Sequence, residues 1–146
     1  MKQPGVILVL IIFVAAVSFV VASEQYQQGR MATTTLTGLA EVGHFGDPNG
    51  TGIFKYKVDR AQNLFCYELS VTDIETATSA AVHSGTREAQ GSSLITLQTP
   101  IVGSSKGCVT LAADKVAEFV KNPTNYYVNV QNAEFPLGAI RGQLGR

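Results

Sequence analysis

Apolar and polar residues alternate along most of this chain, and helical spacing occurs once. Residues 53–59 set Phe54, Tyr56 and Val58 on one side and Lys55 and Lys57 on the other, the pattern of a half-exposed antiparallel strand. Residues 64–71 repeat it, with Phe65, Tyr67, Leu69 and Val71 on one face and Cys66, Glu68 and Ser70 on the other. Residues 33–42 start the strand series with four threonines among alternating apolar positions. Residues 78–85 form a short apolar run ending in His83-Ser84-Gly85, residues 92–98 a further strand, and residues 108–110 a brief one. Between them lie turn-forming clusters, above all residues 43–52 with four glycines and one proline. Helical spacing marks residues 112–121, where Val116, Phe119 and Val120 form one apolar stripe. Asp114 in its first turn and Lys121 in its last suit the helix dipole, and Asn122-Pro123 ends it. Residues 126–130 and 139–144, broken by Pro136 and Gly138, read as a closing hairpin. About seven or eight short strands with one helix before the last hairpin predict an all-β, antiparallel sandwich or barrel.

The first 22 residues stand outside this pattern. One lysine, Lys2, precedes an apolar run over 6–22 interrupted by Ser18 alone. Val20-Val21-Ala22 before Ser23 places small or β-branched residues where a signal peptidase reads, so cleavage after Ala22 is expected. An uncleaved anchor, or a pilin-like leader cut after Gly5, are the rival readings, since 17 apolar residues sit at the short limit for spanning a bilayer, and either would make the chain a membrane-tethered or filament subunit. All three place the rest of the chain outside the cytoplasm, secreted or anchored to the outer face of the membrane. The organisation expected is a signal peptide or anchor over 1–22, a Gln-rich linker over 23–32 and a β domain over 33–146.

Composition then narrows the chemistry. The 146-residue chain has formal net charge zero, and losing Lys2 leaves ten basic groups against eleven acidic ones. No basic surplus suggests a nucleic-acid footprint. Two cysteines in an exported chain read as one disulfide, Cys66–Cys108, against the alternative of two buried thiols. Asp47, Asn49, Thr51 and Gly52 imitate the first half of a calcium loop, but Val58 stands where a bidentate glutamate belongs, so a glycine-rich hairpin turn is expected instead. There is no glycine loop joining a strand to a helix to cradle phosphate, and Gly103-Ser104-Ser105-Lys106-Gly107 reads as a flexible turn.

Several segments together resemble the CHRD domain, the module defined in chordin and widespread in exported single-domain microbial proteins. They are Leu36-Thr37-Gly38 with Glu41, residues 46–52, Cys66-Tyr67-Glu68-Leu69, Ala81-Val82-His83-Ser84-Gly85, Gly107-Cys108-Val109-Thr110, Asn122-Pro123 with residues 126–130, and residues 136–144. The resemblance implies an immunoglobulin-like or superoxide-dismutase-like sandwich and a non-enzymatic extracellular or envelope module. It also implies a histidine cluster, and here this chain departs. The family often carries His-Ile-His before its glycine and Asn-Val-His after its helix, whereas this chain has Ala81, His83 and Gln131 at the three positions.

The candidate residues follow. His83, joined by His44 and a carboxylate such as Glu41, could hold copper or zinc, the cofactors of a metal-binding or redox alternative. The competing account is a histidine hydrogen-bonded at a strand end. Arg141 is expected to pack its stem in a strand and to aim its planar fork at Glu134, Glu68 or backbone carbonyls. Gly138, Gly142 and Asn129 are expected in structural roles. The expected partner is an extracellular protein or envelope component, with membrane contact only through residues 6–22 if these are retained.

Overall fold

A computed structural model of the chain describes residues 31–145. The expectations for the leader and for most of the linker lie outside these residues. Eight antiparallel strands follow one another: β1 (Ala32–Thr37), β2 (Thr51–Asp59), β3 (Leu64–Thr72), β4 (Ala77–Ser84), β5 (Ser93–Thr96), β6 (Ser104–Thr110), β7 (Tyr126–Asn132) and β8 (Ile140–Gln143). One helix, α1 (Ala113–Lys121), precedes the β7–β8 hairpin, and single 3-10 turns occupy Gly38–Ala40 and Pro123–Asn125.

The strand order is β5-β4-β7-β8-β1-β2-β3-β6. Its weakest seam is β8–β1, registered by the single pair Thr37↔Arg141. Four strands lie on each side of this seam, and the sheet closes into a near-barrel around one core. Alternation decides what each half contributes. β2 and β3 supply Phe54, Tyr56, Phe65, Tyr67 and Leu69, while β4, β5 and β7 supply Ala80, Val82, Ile95, Val128 and Val130. The aromatic rings stack along β2 and β3, with Tyr56 and Phe65 centroids 5.4 Å apart and Phe54 and Tyr67 6.0 Å apart. Helix α1 plugs one end. Val116 and Phe119 are buried as the apolar stripe predicts, and the Phe119 ring lies 3.9 Å from that of Tyr126.

Two strand boundaries differ from expectation. The strand expected over 33–42 stops at Thr37, because the chain leaves the sheet through the 3-10 turn toward a long loop. The brief strand expected over 108–110 begins at Ser104, because β6 pairs with β3 from Ser70↔Ser104 to Leu64↔Thr110. In that register Cys66 faces Cys108, and the two sulfurs are bonded. Cys66 lies on the face opposite the aromatic core residues, as its place in the alternation predicts.

Candidate functional site

The outer face of β4, β7 and β8 carries a second, polar layer that the alternation creates automatically. Side chains on β7 that do not enter the core are Tyr127, Asn129 and Gln131. Their cross-strand neighbours on β4 are His83, Ala81 and Ser79, and β8 adds Gln143 opposite Tyr127 and Arg141 opposite Asn129. An outer face this polar would ordinarily be wet. Here loops 38–50 and 85–91 fold across it, and Tyr127, Asn129 and Arg141 are 4 %, 4 % and 2 % exposed.

Arg141 is the centre of the layer. Its Nη2 donates to the carbonyls of Thr86 at 2.8 Å and Ala89 at 2.9 Å, pinning loop 85–91 onto the sheet. Its guanidinium carbon stands 3.5 Å from the centroid of the Tyr127 ring, a desolvated cation–π contact. The expected carboxylate partners are corrected. Glu68 lies exposed on the outer face of β3 in the other half of the sheet and Glu134 in the exposed β7–β8 turn, so neither meets the fork. Backbone carbonyls take their place. Burial lowers the pKa of Arg141, while Tyr127 and Glu41 raise it and Arg87 lowers it further.

His83 lies in the same layer with a different task. Its ring stacks on Tyr127 with centroids 5.0 Å apart, and its Nδ1 is 3.1 Å from the Gly91 carbonyl. The Gly91 amide in turn donates to the Tyr127 hydroxyl at 3.2 Å. This is the strand-end hydrogen-bonding role set against the metal reading. The metal grouping of His83, His44 and Glu41 is not assembled. His44 and Glu41 do come together, with Nε2 and Oε2 3.6 Å apart, but among the described residues no group of three or more His, Cys, Asp or Glu side chains could hold an ion. At the third family histidine position, Gln131 accepts a hydrogen bond from Ser79 Oγ at 2.6 Å.

Glu41 and Gln143 carry more of the site than the sequence suggested. Glu41 has a side chain 2 % exposed, and its Oε1 accepts from Asn129 Nδ2 at 2.8 Å. Gly138 makes this possible: its φ is +155°, and a Cβ there would lie 2.4 Å from Glu41 Oε1. Gly142 serves a second close approach, since a Cβ would lie 2.6 Å from the Thr35 carbonyl of β1. Gln143 Nε2 stands 2.8 Å from each of the carbonyls of Gly85, Thr124 and Tyr126, where three segments meet. Gln90 Nε2 donates to the Val42 carbonyl and joins the two covering loops. Asp47 organises its own turn, accepting from the amides of Asn49 and Gly50 at 3.0 and 3.1 Å, and its amide donates to Ala139 at 2.8 Å. The half calcium loop is therefore an aspartate-capped turn.

Burial pushes the Glu41 carboxyl up from 4.5 to about 7, against a lowering from Arg141. The sign of the consequence is fixed. Between pH 4.5 and 7 the folded chain holds a proton that the unfolded chain has released, so stability falls as pH rises through that window and levels off above it. At 1.36 kcal/mol per unit the loss is at most about 3 kcal/mol. Glu41→Gln keeps an acceptor for Asn129 and removes the titration. In urea melts at pH 5 and pH 8, the wild type should lose stability relative to Glu41→Gln; equal losses in both would refute the assignment.

The polar layer thus binds loops to the sheet. Comparison with curated proteins and with solved structures found no match. The CHRD domain family model matches residues 32–144, from the first residue of β1 to the residue after β8. With its fold and its loop-pinning layer contained in that match, the chain belongs to the CHRD family.

Proposed function

We propose that this chain is an exported CHRD module that works by contact with an extracellular protein or envelope component. CHRD domains are non-catalytic modules and are typically extracellular. The observation that carries the reading is where the buried polar groups end. Arg141, His83, Tyr127 and Gln143 terminate on loop carbonyls and amides, and Glu41 on Asn129, so the polar residues of this face serve to hold loop shape. Shaped loops on a rigid β scaffold are the usual means of recognition. The Cys66–Cys108 disulfide suits an oxidising compartment.

Secretion after cleavage following Ala22 is the form proposed, with tethering through residues 6–22 as the alternative that their apolarity supports. One preparation of the native protein tests both parts. An intact mass beginning at Ser23 is expected, and retention of residues 6–22 would replace secretion by tethering. After incubation with excess copper and zinc and removal of free ions, no bound metal is expected. Stoichiometric metal lost on His83→Ala would overturn the contact reading in favour of a metalloprotein.

A further inference from the structure

The strand register gathers four connections at one end of the near-barrel. Thr37↔Thr51, Thr51↔Thr72 and Ser70↔Ser104 bring loops 38–50, 73–76 and 97–103 together, and Ala77↔Asn132 with Thr37↔Arg141 adds turn 133–139. Of the eight large apolar side chains exposed among the described residues, five project from these loops: Leu39 at 89 %, Phe45 at 94 %, Ile101 at 64 %, Val102 at 89 % and Leu137 at 68 %. They sit on loops that the fold holds in place, since Asp47 is bonded to Ala139 and Gly103 to Val71. The same four connections contain Glu41, Asp47, Asp73, Glu75 and Glu134 and no lysine or arginine. Asp73, Glu75 and Glu134 are exposed. The tip is therefore apolar and anionic.

The outer face of β2, β3 and β6 has the complementary character. Lys55, Glu68 and Lys106 stand in one cross-strand row, and Lys57 lies in the next, opposite Cys66. The ion pairs found within 4 Å among the described residues are His44–Glu41 and Lys115–Glu118, so none of these three lysines is paired within that distance, although Glu68 stands between Lys55 and Lys106 in the row. An open groove of about 540 Å³ runs beside the row, lined by Ile53, Lys55, Glu68, Gln98, Ser105 and Lys106 among others, so its lysines outnumber its single carboxylate. Ser105, which pairs with core Leu69, has its Oγ buried beneath the groove without a hydrogen-bond partner. β6 is the terminal strand of the sheet, with one edge unpaired.

We propose that the anionic, apolar tip of one molecule docks into the cationic groove along β6 of a second copy. The proposal deepens the contact-module reading and rests on it. Apolar tip side chains such as Phe45 and Val102 would fill the groove, and Lys55 and Lys106 would face Asp73, Glu75 and Glu134. A tip-to-tip dimer would set carboxylates against carboxylates, and an anionic lipid surface would repel the tip for the same reason. Tip and groove adjoin at loop 97–103, whose Gln98 lines the groove, but the residues that dock and those that receive them differ, so the contact is heterologous and repeats into open chains instead of closing as a dimer.

Sedimentation velocity of the exported protein across a concentration series at low salt tests this. The weight-average mass should more than double without a plateau at the dimer, and should return to the monomer in high salt. Phe45→Ser with Val102→Ser, and Lys55→Glu with Lys106→Glu, should each be monomeric. Mixed in equal amounts, the two variants should form dimers and nothing larger, because one intact tip and one intact groove remain. A monomeric wild type, a wild-type assembly that stops at two, or undiminished association of either variant would overturn the proposal. Flotation of a monomeric wild type on phosphatidylcholine vesicles, lost in the Phe45 variant, would assign the tip to lipid instead. None of these outcomes touches the mass and metal measurements on which the contact-module reading stands.

Discussion

Replacing Arg141 with alanine lowers folding stability by about 3–5 kcal/mol, in the range found when a buried, hydrogen-bonded charge loses one side of its contacts. Three losses combine. The carbonyls of Thr86 and Ala89 lose their donor, and each stranded acceptor costs about 1–3 kcal/mol where it stays buried. The stacking of the guanidinium on Tyr127 disappears, worth about 2 kcal/mol when desolvated. The stem also vacates a position that is 2 % exposed. Against a domain stability of about 5–15 kcal/mol this is a large fraction. Arg141→Lys keeps charge and stem, but a single ammonium cannot both span two carbonyls and stack, so it should recover about half of the loss. Urea denaturation gives the size, and limited trypsin digestion gives the place. Arg87 lies exposed within the pinned loop, so the alanine variant should be cut after Arg87 while still folded and the wild type should resist. A variant within about 1 kcal/mol of wild type, with Arg87 still protected, would show that the loop is held by other contacts.

The core was legible because period-two alternation is a direct consequence of strand geometry. Phe54, Tyr56, Phe65, Tyr67 and Leu69 reach the core as the pattern requires, and α1 occupies the one stretch with helical spacing. The disulfide was legible for a different reason, two cysteines in a chain expected to be exported, and the register of β3 and β6 brings them face to face. The polar layer was legible only in part. Alternation places Tyr127, Asn129 and Gln131 on one face, but it cannot say that loops 38–50 and 85–91 cover that face. Those contacts join residues 55 and 52 positions apart in the case of Arg141, and 88 apart for Asn129 and Glu41. No local signal encodes them. The sequence offered Arg141 either a carboxylate or backbone carbonyls and could not choose, because the carbonyls that it meets are presented by a loop whose path only the folded sheet defines. Gly138 was the nearest available hint. Its glycine permits a backbone geometry and a close approach to Glu41 that a side chain would obstruct.

The three positions where the resemblance implied histidines share one face of this chain. Ala81, His83 and Gln131 all lie on the same side of β4 and β7. The fold thus brings the three positions onto one surface, whereas the residues there form an alanine gap, a ring stacked on Tyr127 and an amide bonded to Ser79. Here Gln131 is a neutral hydrogen-bond acceptor, and His83 is committed to the Gly91 carbonyl. The layer's chemistry is that of an internal adhesive between loops and sheet.

Removing the Cys66–Cys108 bridge by paired serine substitution lowers stability by about 4 kcal/mol in the chain-entropy model. The bridge links residues 42 positions apart and so closes a segment containing β4, β5 and most of β3 and β6. Its energetic weight acts on the unfolded chain. Cys66 is half-buried and Cys108 exposed on the outer face, so two serines there leave no void in the aromatic core and strand no buried donor. The folded structure should therefore persist, with the near-ultraviolet spectrum of its tyrosines unchanged. Two signatures separate this from simple loss of contacts. The slope of stability against urea should increase, because the uncrosslinked chain expands further on unfolding. Amide exchange should quicken first in β6, whose backbone pairs with β3 alone and has no outer neighbour to hold it. A loss below about 1 kcal/mol with an unchanged urea slope would mean that the unfolded chain already keeps β3 and β6 together. The bridge would then be a lock on the edge strand and not a constraint on the ensemble, and accelerated exchange confined to β6 would be its remaining trace.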